Sequence, residues 1–134
     1  MTCRINEENG TFTANGVKLS VFTDGEEHGD DTYLKIVLEG ETSLGRKQAK
    51  FGSAFFTRGV IANWIEYQVE KDAGTLAPAS EDRRAGDAIL IFNYNRNAGK
   101  VEIIIWHNND NLKINVDWAI LLDMLRNSQP DTPQ

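Results

Sequence analysis

One pattern runs twice along this chain: three stretches of strand-like alternation, then an amphipathic helix. The first pass covers about 17–71 and the second about 87–127, with a polar, proline-bearing connection at 72–86. A strand set and a helix each present one apolar side that must be covered. Two such units in 134 residues therefore predict an α+β fold, with antiparallel sheets built from two strand-strand-strand-helix repeats and the C-terminal helix packed on the sheet. That length suits a single domain with its own core, and 40% hydrophobic with 25% charged residues is the balance of a globular chain.

The first repeat opens behind two turn signals, Asn9-Gly10 and Asn15-Gly16, with Thr11-Phe12-Thr13 between them as a short edge strand. Val17, Leu19 and Val21 then alternate with Lys18, Ser20 and Phe22. Leu34, Ile36 and Leu38 mark the core side of the next strand, and Ala49, Phe51 and Phe55 that of a third. Residues 57–71 fit two periods. Ile61, Trp64, Ile65 and Gln68 share a helical stripe, while the same stretch also alternates as a strand. Its length and the parallel with the second half favour helix, with Thr57 as the N-cap.

In the second repeat, 88–94 and 101–106 flank a hairpin loop, 95–100, in which Gly99 suits a positive φ. A short strand over 111–114 follows. Asn115 is placed as the next N-cap and Asp117 in the first helical turn, where the helix dipole favours an anion. Val116, Ile120, Leu121, Met124 and Leu125 form that helix's buried stripe, Trp118 and Leu122 falling beside it. The prolines of 128–134 cannot continue a helix, so this tail is expected to fray.

Nothing in the chain reads as a catalytic signature. It lacks a Gly-rich phosphate loop, His-Glu-x-x-His, Cys-x-x-Cys and a Gly-x-Ser-x-Gly elbow, and has only His28 and His107 as histidines. A non-enzymatic protein without catalytic residues, cofactor or metal is therefore expected. The acidic loop at 26–31 has donors for a cation but not the spacing of an EF-hand, and a solvated hairpin loop is the simpler reading. No apolar run approaches the roughly 20 residues that span a bilayer. The first residues carry no apolar signal core, so a cytoplasmic protein with no membrane contact is expected. Cys3, the only cysteine, cannot form an internal disulfide. A net charge of −6 weakens non-specific attraction to phosphate and suits a basic protein partner, although single strands can be held by stacking on aromatics.

The second hairpin is the richest surface. If Ile89, Ile91, Val101, Ile103 and Ile105 face the helix, the other face carries Leu90, Phe92, Tyr94, Ile104 and Trp106, bordered by Arg96 and Lys100. Tyr94 and Trp106, near the strand ends beside Asn93, Asn95 and Asn108, are the functional candidates of that face. The run Tyr33-Leu34-Lys35-Ile36 leading to the Trp64 helix, and the hairpin of Ile89 and Trp106 leading to the Trp118 helix, resemble in arrangement the repeats of PUR-domain and Whirly-type single-strand nucleic-acid-binding proteins. The resemblance implies single-stranded DNA or RNA binding through aromatic and basic residues on curved sheets, and often a homodimer. By position, Tyr94, Arg96, Lys100 and Trp106 fit those roles. The alternative is an acidic protein-binding module (an immunity protein, inhibitor or adaptor) acting on a basic partner. The wide apolar arcs around Trp64 and Trp118 are open to two explanations, a homodimer interface or helices sandwiched within one chain.

Overall fold

The computed structural model describes residues 4–6, 10–71, 74–77 and 88–131. Cys3, Asn9 and most of the 72–86 connection lie outside them. The first sheet, sheet A, runs β1 (Arg4–Asn6), β2 (Thr11–Ala14), β3 (Val17–Asp24), β4 (Tyr33–Gly40) and β5 (Ala49–Ser53) as antiparallel neighbours. Helix α1 (Arg58–Glu70) follows. Sheet B runs β6 (Thr75–Leu76), β7 (Ile89–Asn95), β8 (Lys100–His107) and β9 (Asp110–Asp117), again antiparallel, and leads into α2 (Trp118–Arg126). The doubled order is thus present: β3-β4-β5-α1, then β7-β8-β9-α2, an α+β fold of two sheets and two helices.

Turn chemistry sets the registers. Asn15 and Gly16 have φ of 52° and 79°, and Asn108 and Asn109 have 53° and 68°. Positive φ at both central residues gives the type I′ turn whose twist matches the strands it joins. These turns place Ala14 opposite Val17 and His107 opposite Asp110. The outer side of sheet A sets Lys18, Glu39 and Lys50 side by side, an alternation of charge that suits a solvated face.

Its inner side presents Phe12, Leu19, Val21, Leu34, Ile36, Leu38 and Phe51 to a single core shared with Leu90, Phe92, Val101, Ile103, Ile105, Leu112, Ile114 and Val116 of sheet B. Both helices add to that core. Ile61 and Ile65 are fully buried on α1, and Trp64 lies 6.1 Å from the Phe92 ring. On α2, Leu121, Leu122, Met124 and Leu125 are buried, and Trp118 packs against the same cluster. The wide arcs of the two helices are used inside one chain.

Several sequence expectations shift. Strand β5 ends at Ser53, so Phe56 enters the core while Phe55 stays 37% exposed. Strand β9 extends to Asp117, which caps α2 by accepting from the Ala119 N–H at 2.9 Å; Asn115 is an exposed strand residue. The tail does not simply fray. Strand β2 reaches only as far as Ser20 on β3, and β10 (Gln129–Pro130) takes the vacant edge beside Phe22 and Thr23 as a parallel strand. Residues 132–134 lie outside the described part.

The largest correction concerns the second hairpin. The turn at 96–99 sets Asn95 opposite Lys100, so Leu90, Phe92 and Tyr94 share a face with Ile105, Ile103 and Val101. Ile89 and Ile91 share the other with Trp106 and Ile104. A one-residue slip in pairing exchanges the faces of a strand, and the apolar run 89–92 does not itself specify the parity. Phe92→Ala should accordingly cost about 3–5 kcal/mol, against less than about 1 kcal/mol for Trp106→Ala, as urea denaturation midpoints would register.

Candidate functional site

The four residues singled out from the sequence do not assemble into one platform. Tyr94 is 7% exposed and lies on the inner face of sheet B. Trp106, at 39%, is on the outer face. Lys100 shares that outer side but stands six residues along β8, about 20 Å from Trp106 at the usual strand rise. Arg96 is exposed in the turn beyond. Asn93 accepts from the Thr75 hydroxyl at 2.7 Å and donates to Glu102 at 3.3 Å, so its amide is engaged within the sheet.

A different constellation is built around Arg58, which sequence reasoning passed over. Thr57 caps α1 as expected, its hydroxyl accepting from the Val60 N–H at 3.3 Å. Arg58 is then the first helical residue and is 8% exposed. All five of its N–H donors are used. Nε donates to the Leu125 carbonyl at 2.9 Å; Nη1 donates to Glu27 Oε2 and, at 2.9 Å, to the Gly29 carbonyl; Nη2 donates to Glu27 Oε1 and to Ser128 Oγ, both at 3.0 Å. This is a bidentate guanidinium–carboxylate pair extended by three neutral acceptors.

Glu27 is held from its other side as well. Its Oε2 accepts from the Gly29 N–H at 2.9 Å and the Thr32 hydroxyl at 3.0 Å, and that hydroxyl accepts from the His28 N–H at 2.6 Å. Chiefly through the Arg58 hydrogen bonds, and through that of Thr32, the Glu27 carboxyl is lowered from an ordinary 4.5 to about 2. The β3–β4 loop is thereby fixed, with a short 3-10 turn at Gly29–Asp31. Gly59 lets this turn sit close on the helix: a Cβ there would lie 2.8 Å from Asp30 Cβ and 3.0 Å from the Asp30 carbonyl oxygen. Asp24, Glu26, Asp30 and Asp31 are exposed, and none forms an ion pair with Lys or Arg among the described residues.

Exposed apolar side chains adjoin the loop. Tyr33 (50%) bridges to Thr57 at the helix start, Val60 (46%) follows Gly59, and Tyr67 (59%) stands two turns further along α1, about 10 Å away. At the other end of the molecule, Asp110 is buried and ties the β4–β5 loop to the β8–β9 turn. It accepts from the Asn111 N–H at 2.8 Å, Ser43 Oγ at 3.1 Å and the Leu44 N–H at 3.2 Å. Burial pushes its pKa up, but the Thr42 hydroxyl and these three donors outweigh that and leave it lowered.

The histidines are apart: His28 is exposed, 3.8 Å from Glu26, and the His107 ring lies 5.5 Å from that of Phe51. Among the described residues no group of three or more His, Cys, Asp or Glu is placed to hold a metal ion.

Arg58→Ala removes five hydrogen bonds, among them those to the Leu125 and Gly29 carbonyls, so unfolding should become easier by about 2–4 kcal/mol. Ionised Glu27 stabilises the fold fully above its ordinary 4.5, and that contribution is lost as pH falls towards about 2. The gap in denaturation midpoint between the native protein and Glu27→Gln should therefore hold at neutral pH and close across that acid window. No protein family, curated protein or solved structure matches this chain.

Proposed function

We propose that the protein is a non-enzymatic binding module for a basic protein partner, engaged by the β3–β4 loop and the adjoining face of α1. One observation carries this reading. Of the five carboxylates at 24–31, Glu27 is consumed internally in fixing the loop, and the other four face solvent without an ion pair to Lys or Arg among the described residues. A loop already held in one conformation loses little entropy on binding, so its charge is available for recognition. In a chain of net charge −6, such a patch steers cationic surfaces and repels phosphate. Tyr33, Val60 and Tyr67 supply apolar contact beside it, and aromatic residues ringed by charge are the usual makeup of a binding centre.

Single-strand nucleic-acid binding is the second reading. It keeps Trp106 and Lys100, which share the outer face of sheet B with the exposed Lys113.

Panning a randomised peptide display library on the protein separates the two. Selected peptides should be rich in Lys and Arg, and their binding should weaken with added salt. Combining Asp24→Asn, Glu26→Gln, Asp30→Asn and Asp31→Asn should reduce that binding at least about tenfold. A selected pool with no basic bias, or one indifferent to these four changes, overturns the proposal. Labelled single-stranded DNA and RNA measured in parallel by anisotropy would transfer the function to sheet B if binding appeared and was lost in Trp106→Ala.

A further inference from the structure

The outer face of sheet B carries four large apolar side chains in a square. Ile89 lies opposite Trp106 and Ile91 opposite Ile104, and none of the four belongs to the core cluster or packs against it. A sheet with its core on one side is normally polar on the other. The strand register gives this square a defined border. Lys113 on β9 stands beside Ile104, and Asn111 beside Trp106. Glu102 follows Ile104 on β8, with Asn93 and Asn115 to either side. Further along, Lys100 is opposite Asp117, one charge of each sign.

Among the described residues the face is thus close to neutral, its remaining cation and anion, Lys113 and Glu102, lying on different sides of the apolar square. A polyanion finds too little positive charge here and a basic protein too little negative. A second copy of the same face finds its complement. With strands about 4.8 Å apart and about 3.4 Å per residue, a dyad in the plane of the face that exchanges the Lys113 and Glu102 positions passes within about 3 Å of the centre of the square. One two-fold axis therefore overlaps the two apolar squares in part, about Ile91 and Ile104, and sets Lys113 of each copy against Glu102 of the other, the self-complementarity an isologous interface requires.

We infer that the protein forms a two-fold homodimer through the outer faces of sheet B, centred on Ile91 and Ile104, with Trp106 on its flank and two Lys113–Glu102 pairs at its border. The contact is small by the standard of obligate dimers, so the association is reversible. It leaves the acidic loop uncovered, because that loop belongs to the sheet packed on the opposite side of sheet B. The inference does not depend on what the loop binds.

Sedimentation equilibrium from micromolar to millimolar protein should show a monomer–dimer equilibrium. Ile104→Asp should weaken it at least about tenfold, the loss expected for a residue at an interface centre, and Trp106→Ser, which strips a large apolar side chain from the flank, should weaken it by a smaller but measurable factor. Lys113→Glu should weaken it as well, and adding Glu102→Lys to that variant should restore it. Far-UV circular dichroism checks that each variant is folded, and Trp106→Ser keeps the test decisive if Ile104→Asp is not. A monomer throughout the range overturns the inference, as does a dimer indifferent to Trp106→Ser. A charge reversal that fails to rescue Lys113→Glu overturns the two-fold arrangement.

Discussion

The arrangement of this molecule hangs on one guanidinium. Arg58 sits at the first turn of α1, where the helix dipole disfavours a cation, and that position is tolerable because Glu27 chelates it and Asp30 lies against the same turn. Its Nε meanwhile reaches the Leu125 carbonyl in the last turn of α2, where a cation is favoured. One side chain thus joins the start of one helix to the end of the other. Through Ser128 it also fixes the point from which the chain leaves α2 and enters the vacant edge of β3. Segments of both repeats meet at this residue, so the two halves are coupled by a polar clasp as well as by the shared core. Burying a charge is costly unless every donor is satisfied, and all five of these are.

The framework was legible because its signals are local. Alternation in β3 and β4, the Asn15-Gly16 turn, Gly99 in the hairpin loop and Thr57 as a cap each act within a few residues, and each places its element where it is found. The faces of β7 were not legible. Ile89, Leu90, Ile91 and Phe92 are apolar without interruption, so only the pairing imposed by the 96–99 turn decides which of them enter the core. Tyr94 was assigned to the wrong side for that reason. It is the mate of Val101 within the core and not of Trp106 outside it.

The Arg58–Glu27 pair spans 31 residues and leaves no periodic trace. One indirect signal was available: a basic residue directly after an N-cap, with no acid in the first turn of its own helix, needs an anion from elsewhere. The acid-rich segment at 24–31 was the place to look. Reading that segment only as a solvated loop accounted for its exposure but missed that one of its carboxylates is structural.

The division among those carboxylates bears on what the surface can do. Five acids within eight residues repel one another, and a loop free to move would spread them apart. The Arg58 clasp prevents that spreading, since Glu27, Gly29 and Thr32 are all tied into it. The remaining repulsion between Asp24, Glu26, Asp30 and Asp31 is thereby kept in the folded state, where a cation approaching from solvent would relieve it. Sheet B presents the opposite case: a partly apolar face on which the charges of the described residues, Lys100 and Lys113 against Glu102 and Asp117, sum to zero. A surface with uncompensated charge calls for a partner of opposite sign, whereas a compensated one calls for its own likeness, and this protein carries one of each on separate layers.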